Sequence, residues 1–408
     1  MPAVSQLSYE EGDIQYLSRA DHFANYDAAT AAPSTTLGEE YRAKFLNNDV
    51  YDPADYNNDG DAMPTTGAKN GMTLADLRGA DFDDPNWEKL LDQLTVAEMN
   101  EMIAMGGFAT VAAPSVGKVA TTDCDSPASI NNNFTDVGSI GFPSGTMIAC
   151  TWNKDKALEF GDNIGRMANE MDVSGWYAPA MNLHRTPFSG RNFEYYSEDG
   201  VLSGHMAANA AAGARVHGVY AYIKHFVLND QEYNRQAMLC TWSSEQATRE
   251  LYMKPFEMAV KQRGAQAVMS SYNYIGTTWA GACAGTIQHI LRDEWGFNGM
   301  VLTDYNGNFN YMDADQAVRN GGDNCLANYD NGCNYLEDTA SATAVQAMRT
   351  SSKHILYTVV NSRAYAPENL NPSMPAWQVG AIVIDVVLAA ALIALEVVVL
   401  KKYRKGRQ

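Results

Sequence analysis

Five stretches of this 408-residue chain end an apolar run on groups able to bind ligands or move protons. Val119-Ala-Thr-Thr-Asp-Cys-Asp125 closes on acids, and Tyr177-Ala-Pro-Ala-Met-Asn182-Leu-His184-Arg185 runs into Ser189-Gly-Arg191-Asn192-Phe-Glu194. Tyr222-Ile-Lys224-His225-Phe leads to Asn229-Asp-Gln-Glu232, Val268-Met-Ser-Ser-Tyr272-Asn273 ends polar, and Met300-Val-Leu-Thr-Asp304-Tyr305 finishes on a carboxylate. Gathered at one mouth, these supply two carboxylates, a Lys–His pair, an Arg and several aromatics. Cationic neighbours would hold Asp304 ionised, as a nucleophile requires. Aromatic faces beside many short hydrogen-bonding groups suit a sugar ring, with its apolar C–H faces and many hydroxyls.

Each group also has a plainer structural use. An Asp after a strand is a common helix cap or turn former. Lys224-His225 can be a buried pair tied to a carboxylate such as Glu232, and Arg191 with Glu194 a simple salt bridge. The sequence contains no GxGxxG, GxxxxGK[ST], HExxH or GxSxG motif, which removes the usual phosphate-loop, zinc-protease and serine-hydrolase readings. Its six cysteines are scattered without a CxxC, which argues against a zinc site. No metal or cofactor is expected. A net charge of −19 and a pI near 4.7 repel phosphate backbones, so nucleic acid is not expected as a partner.

These strings need a scaffold that brings strand ends together. Asn86–Thr95, Val96–Met105, Lys154–Met171, a segment capped by Ser243/Ser244 and stopped by Gly264, and Thr286–Trp295 closed by Gly296 read as helices. Between them lie the β-like runs Ala221–Val227, Ala267–Asn273 and Gly299–Tyr305. Strand and helix alternating over more than 250 residues implies an α/β fold with a parallel sheet. An eight-stranded (β/α)8-like TIM barrel is the expected form, with functional residues where strands end.

The ends read differently. Residues 1–86 form a polar linker or wrapping segment ahead of a barrel over 87–365. Within it, Asp55–Asp61 resembles the start of a calcium loop, but position twelve is Thr66 and Pro64 blocks an exiting helix; a solvated turn is the preferred reading. Met1–Glu11 lacks the features of a signal peptide. The span 377–400 reads as a transmembrane helix. Its stretch Val379–Leu400 holds fourteen Val, Ile or Leu, and at about 1.5 Å per residue it reaches about 33 Å, enough to cross a bilayer core of about 30 Å. Asp385 and Glu396 interrupt it towards its ends, where such charges cost less. The basic tail 401–408 places the C-terminus in the cytoplasm, giving a single-pass protein of the cell membrane with its barrel extracellular.

The string Trp176 to Asp199, Trp-Tyr-Ala-Pro-Ala-Met-Asn-Leu-His-Arg-Thr-Pro-Phe-Ser-Gly-Arg-Asn-Phe-Glu-Tyr-Tyr-Ser-Glu-Asp, resembles the most recognisable segment of glycoside hydrolase family 3, the β-glucosidase/β-xylosidase family. Lys224-His225-Phe226, Met269-Ser-Ser-Tyr-Asn273 and Val301-Leu-Thr-Asp304-Tyr305 resemble its next blocks, in order. The resemblance covers roughly Trp87 to Tyr365. It implies a barrel that holds a terminal, non-reducing β-linked sugar, with Asp304 as the nucleophile of a retaining mechanism. It further implies that Asp125, Arg191, Lys224, His225 and Tyr272 grip the sugar, and that Tyr305 lines the aglycone side. The implied ligand is a β-linked glucoside or oligosaccharide, since the Lys-His-Phe block looks like the glucosidase type.

Two departures stand out. The family usually reads Asp-Gly-Pro-x-Gly where this chain has Asp125-Ser126-Pro127-Ala128-Ser129, and serine resists a turn that needs positive φ. The family's acid/base glutamate comes from a separate α/β sandwich domain that has no place in this sequence. Tyr16-Leu-Ser-Arg-Ala-Asp21 and Ile355–Ser362 resemble the junction and final helix of members that carry that domain first. The expectation is therefore a barrel half of a reversed-order member, its acid/base supplied by a companion domain. The alternatives are a membrane-tethered sugar-binding module and an inactive fragment without turnover.

Overall fold

The runs rich in β-branched and aromatic residues do form strands in the computed structural model of the chain, which describes residues 17–29, 38–45, 50–307, 309–370 and 376–407. The readings made on Met1–Glu11 and on Tyr16 lie outside those residues. The chain divides into two units, Met1–Tyr365 and Ala366–Gln408. In the first, seven strands form one sheet: β1 (Ala109–Thr110), β2 (Thr121–Cys124), β3 (Val173–Trp176), β4 (Tyr220–Phe226), β5 (Ala267–Ser270), β6 (Met300–Tyr305) and β7 (Asn324–Leu326). Each pairs with the next in chain order. All pairs are parallel except β1–β2, which is antiparallel.

Helices supply the crossovers, as parallel pairing demands. After α1 (Val96–Ala104) come α2 (Lys154–Glu170), α3 (Gly200–Val216), α4 (Lys254–Arg263), α5 (Gly285–Glu294), α6 (Ala314–Arg319) and α7 (Ala342–Val360). Local chemistry sets their ends: Asp199 accepts from the Val201 and Leu202 amides at the start of α3, and Gly264 at φ 59° stops α4.

Side-chain alternation splits the apolar residues into two cores. Trp176, Ala221, Ile223, Val268 and Val301 face the helices with Phe160 and Ile164. Tyr220, Tyr222, Ala267, Met269, Met300 and Leu302 belong to the other core. This is a TIM-barrel-like α/β fold, but the expected eight-stranded count is not met: among the described residues the sheet has seven strands, and its first pair is antiparallel. The two edges are nonetheless tied. Gly106 N–H donates to Cys325 O at 2.8 Å and Gly107 N–H to Ala327 O at 3.0 Å. No side chain fits there, since a Cβ on Gly107 would lie 2.6 Å from the Ala327 backbone.

The polar segment ahead of the barrel does more than wrap. Tyr51 donates to Asp315 and Gln346 to the Ala62 carbonyl, while Leu74 and Leu77 are buried in the core with Trp87. In the calcium-loop lookalike, Asn57 donates to Asp338 in the turn before α7 and Asp61 accepts from Thr343 in its first turn, so both side chains hold the start of that helix. Among the described residues, no group of three His, Cys, Asp or Glu side chains is arranged to hold a metal.

In the second unit, α8 (Ala376–Lys405) has its apolar side chains exposed along its length. Its stretch Trp377–Lys405 is long and apolar enough to cross a membrane.

Replacing Gly107 by Ala forces the two sheet edges apart and is expected to lower stability by about 1–3 kcal/mol, read as a fall in the urea midpoint. Ser126 sits at φ 90°, the conformation that the serine-for-glycine departure was expected to strain. Ser126→Gly should therefore raise stability by about 1 kcal/mol; an unchanged midpoint would show that the turn carries no strain.

Candidate active site

Strands β2 to β7 run in parallel towards one rim, and there the residues singled out in the sequence meet. Asp125 follows β2, Arg191 lies in the loop after β3, Lys224 and His225 end β4, Tyr272 follows β5, and Asp304 and Tyr305 end β6. All seven line one cavity of about 300 Å³, joined by Phe108, Phe134 and Arg235 among others. That volume is at the lower end of ligand pockets, about 300–1,000 Å³.

Lys224 Nζ meets Asp125 Oδ1 at 2.8 Å. The lysine is thus paired with Asp125, and the structural alternative of a tie to Glu232 is not what the geometry holds. Burial alone would raise the Asp125 carboxyl, but the charge and hydrogen bond of Lys224, with the Ser126 N–H and the charge of Arg191, outweigh it and hold Asp125 below the usual carboxylate range. Arg191 reaches Glu194 at 3.0 Å and Glu232 at 3.6 Å, and its guanidinium also lies 3.2 Å from His225 Nε2. Arg191 thus makes the salt bridge with Glu194 and also lines the cavity.

His225 is clamped through its backbone: its N–H donates to Asn182 Oδ1 and its carbonyl accepts from Asn182 Nδ2. Burial, then the charges of Arg191, Lys224 and Arg235, push the imidazole well below its usual range, so it is neutral at pH 7. Arginine can only donate, so Nε2 accepts and the ring proton sits on Nδ1.

Asp304 has two unlike oxygens. Oδ1 accepts from the Tyr305 N–H at 2.8 Å. Oδ2 is buried without a hydrogen bond, 3.6 Å from Arg235 and 3.7 Å from His225 Nε2. Cations do face this group, as expected, but burial acts against them. Burial raises the Asp304 carboxyl above its ordinary range, and Arg235, Arg191, the Tyr305 N–H and Lys224 offset only part of that. Both guanidiniums are bound more closely to a glutamate than to Asp304.

Tyr272 donates to the Tyr305 carbonyl at 2.7 Å and lies under the Arg235 guanidinium, 4.7 Å from ring centroid to Cζ. Arg235 was missed in the sequence. It is held by Glu232 at 2.9 Å, and its only sequence signal is an Arg three residues after an acid in a stretch without periodicity. Phe134, in the loop after β2, was missed for the same reason.

Comparison with known proteins identifies the family. Residues 124–354 match the family described as glycosyl hydrolase family 3 N terminal domain. β-Glucosidase A of Butyrivibrio fibrisolvens is 37% identical over 238 residues, covering 58% of this chain and 28% of that protein. A β-glucosidase of Ruminococcus albus is 42% identical over 177 residues, covering 43% and 19%. Among solved structures, β-glucosidase 3B from Thermotoga neapolitana in complex with α-D-glucose superposes with a TM-score of 0.62 at 30% identity, covering 70% of this chain and 44% of that one. The β-glucosidase of Paenibacillus barengoltzii gives 0.65 at 25%, covering 84% and 38%. The chain spans 19–28% of the length of these curated relatives. With the family match running over more than half of its length, the chain belongs to glycoside hydrolase family 3.

Proposed function

We propose that the cavity binds the terminal non-reducing sugar of a β-glucoside and that Asp304 is the nucleophile of a retaining hydrolysis. The observation that carries this is the convergence of seven residues, from five separate loops and strand ends, on one cavity. The names of the relatives, all β-glucosidases, favour glucose. In this reading Asp125 and Lys224 bind sugar hydroxyls as a pair, neutral His225 and Arg191 bind another, and Tyr305 faces the aglycone. Asp304 Oδ2, free of hydrogen bonds, attacks the anomeric carbon while the glycosidic C–O bond breaks, and water later releases the sugar with retention.

A leaving alkoxide needs a proton. Among the described residues, Asp125 is the other carboxylate lining the cavity, and Lys224 keeps it deprotonated. It is a poor acid, which supports an acid/base from a companion sandwich domain outside this sequence. The helix α8 is read as the anchor that holds the barrel outside the cell membrane, with the basic tail in the cytoplasm.

Incubation with a 2-fluoro glucoside bearing an activated leaving group tests the nucleophile. Peptide mass spectrometry should place the label on Asp304, and Asp304→Asn should abolish it; a label elsewhere overturns the assignment, and binding without label favours the tethered binding module. Since attack needs the carboxylate and burial raises its pKa, the labelling rate should fall as pH drops, from a higher pH than an exposed aspartate would show. Arg235→Met removes a cation facing Asp304 and should move that fall to still higher pH, with labelling at neutral pH lowered about tenfold, the equivalent of roughly 1.4 kcal/mol.

A further inference from the structure

Beneath the cavity the barrel holds a second polar layer, none of whose side chains lines it. Lys118, Thr110, Thr121, Asp123, Tyr220 and Tyr222 are buried, yet their hydrogen bonds form one unbroken chain. Lys118 Nζ donates to Thr110 Oγ1 at 2.8 Å, and its other protons go to the carbonyls of Val111 and Val119. Thr110 and Thr121 share a bond of 2.7 Å, and Thr121 and Tyr220 one of 2.8 Å. Tyr220 donates to Asp123 Oδ1 at 2.7 Å and Tyr222 to Asp123 Oδ2 at 2.8 Å. Each hydroxyl has one proton to give, so the bonds all point from Lys118 towards Asp123. Burial pushes the Lys118 ammonium down to about 7 and the Asp123 carboxyl up to about 6, the latter opposed by both tyrosines.

The contact between Asp123 and Tyr220 crosses three strands because the middle one is bare. Asp123 of β2, Gly175 of β3 and Tyr220 of β4 stand in one row of the sheet. A Cβ on Gly175 would lie 2.4 Å from both Asp123 Oδ1 and the Tyr220 ring. Only glycine lets the carboxylate reach across to β4. The pattern then repeats one step up: Asp125 is two residues past Asp123, Lys224 is two past Tyr222, and the upper pair meets at 2.8 Å. On parallel strands, equal steps preserve the diagonal.

We infer that Asp123 is a positioning residue, clamped by Tyr222 and Tyr220 so that the next diagonal pair, Asp125 and Lys224, meets at a fixed place in the cavity. That this pair grips a sugar rests on the proposed function; the clamp itself does not.

The test uses the full chain with Tyr222→Phe and Asp123→Asn, and Ile164→Val in the outer core as a control for lost stability. Acetylation of Lys224 by acetic anhydride, followed by peptide mass spectrometry, reads the upper pair without any ligand. The rate should rise at least fivefold in Tyr222→Phe and Asp123→Asn and stay within twofold of wild type in the control. Calorimetry with glucose should show affinity lowered five- to tenfold in the same two variants only. Lys224 acetylation at the wild-type rate in folded Tyr222→Phe overturns the inference. Wild-type protein that binds no glucose counts against the sugar reading instead, and the acetylation result still decides the clamp.

Discussion

Charge taken out of water must be matched by charge, and the cavity at the barrel rim is arranged by that constraint. Arg191, Lys224 and Arg235 face Asp125, Glu194, Glu232 and Asp304, three cations against four carboxylates. Lys224 goes to Asp125, Arg191 to Glu194, and Arg235 to Glu232, each at 3.0 Å or less. Asp304 is the remainder, with its nearest cation 3.6 Å away. Every close pair removes a group from competition, and the group left over has an open oxygen. A neutral, hydroxyl-rich ligand disturbs such a balance least, whereas an anion would have to displace a glutamate or an aspartate. The overall charge of −19 points the same way.

Precise placement of these pairs depends on the sheet below them. Parallel strands advance together, so residues two apart repeat the same contact one layer higher. The hydroxyl chain from Lys118 to Asp123 occupies the layer under the Asp125–Lys224 pair, and the glycine ties at Gly106 and Gly107 keep the two sheet edges from separating. Leaving any member of that buried chain without a partner would cost more than its bond contributes when made. The polar interior is therefore specified as tightly as an apolar one.

What could be read in the sequence follows from how local the signal is. Asp304, Lys224, His225 and Tyr272 close apolar runs, and a run that ends on a polar group announces a strand tip without any tertiary information. Arg191 and Asp125 were legible through family resemblance as much as through pattern. The α/β alternation was legible too, because helix and strand periods differ. The strand count was not, since β1 and β7 span only two and three residues, too short for a period-two signal. Arg235 reaches the site from a loop, and Leu74 and Leu77 reach the core from a segment whose composition is polar, so both depend on contacts far away in sequence. The Lys118–Asp123 layer was invisible for a further reason: Lys, Thr and Tyr each have commoner uses, and only the missing side chain of Gly175 brings them together.

The two cavity carboxylates are driven apart, Asp125 lowered by its lysine and Asp304 raised by burial. By the usual rule the raised member would be the acid of such a pair, but the geometry argues against that here. Asp125 spends an oxygen on Lys224, while Asp304 keeps Oδ2 open at the end of a strand. In the proposed reaction the sugar becomes cation-like in the transition state. An ionised Asp304 that is under-neutralised in the empty site gains more from that developing charge than one already held by a close arginine. The divided guanidiniums thus weaken the resting carboxylate and strengthen its part in the step where positive charge appears, so the unfavourable burial of Asp304 is consistent with its proposed role as the nucleophile.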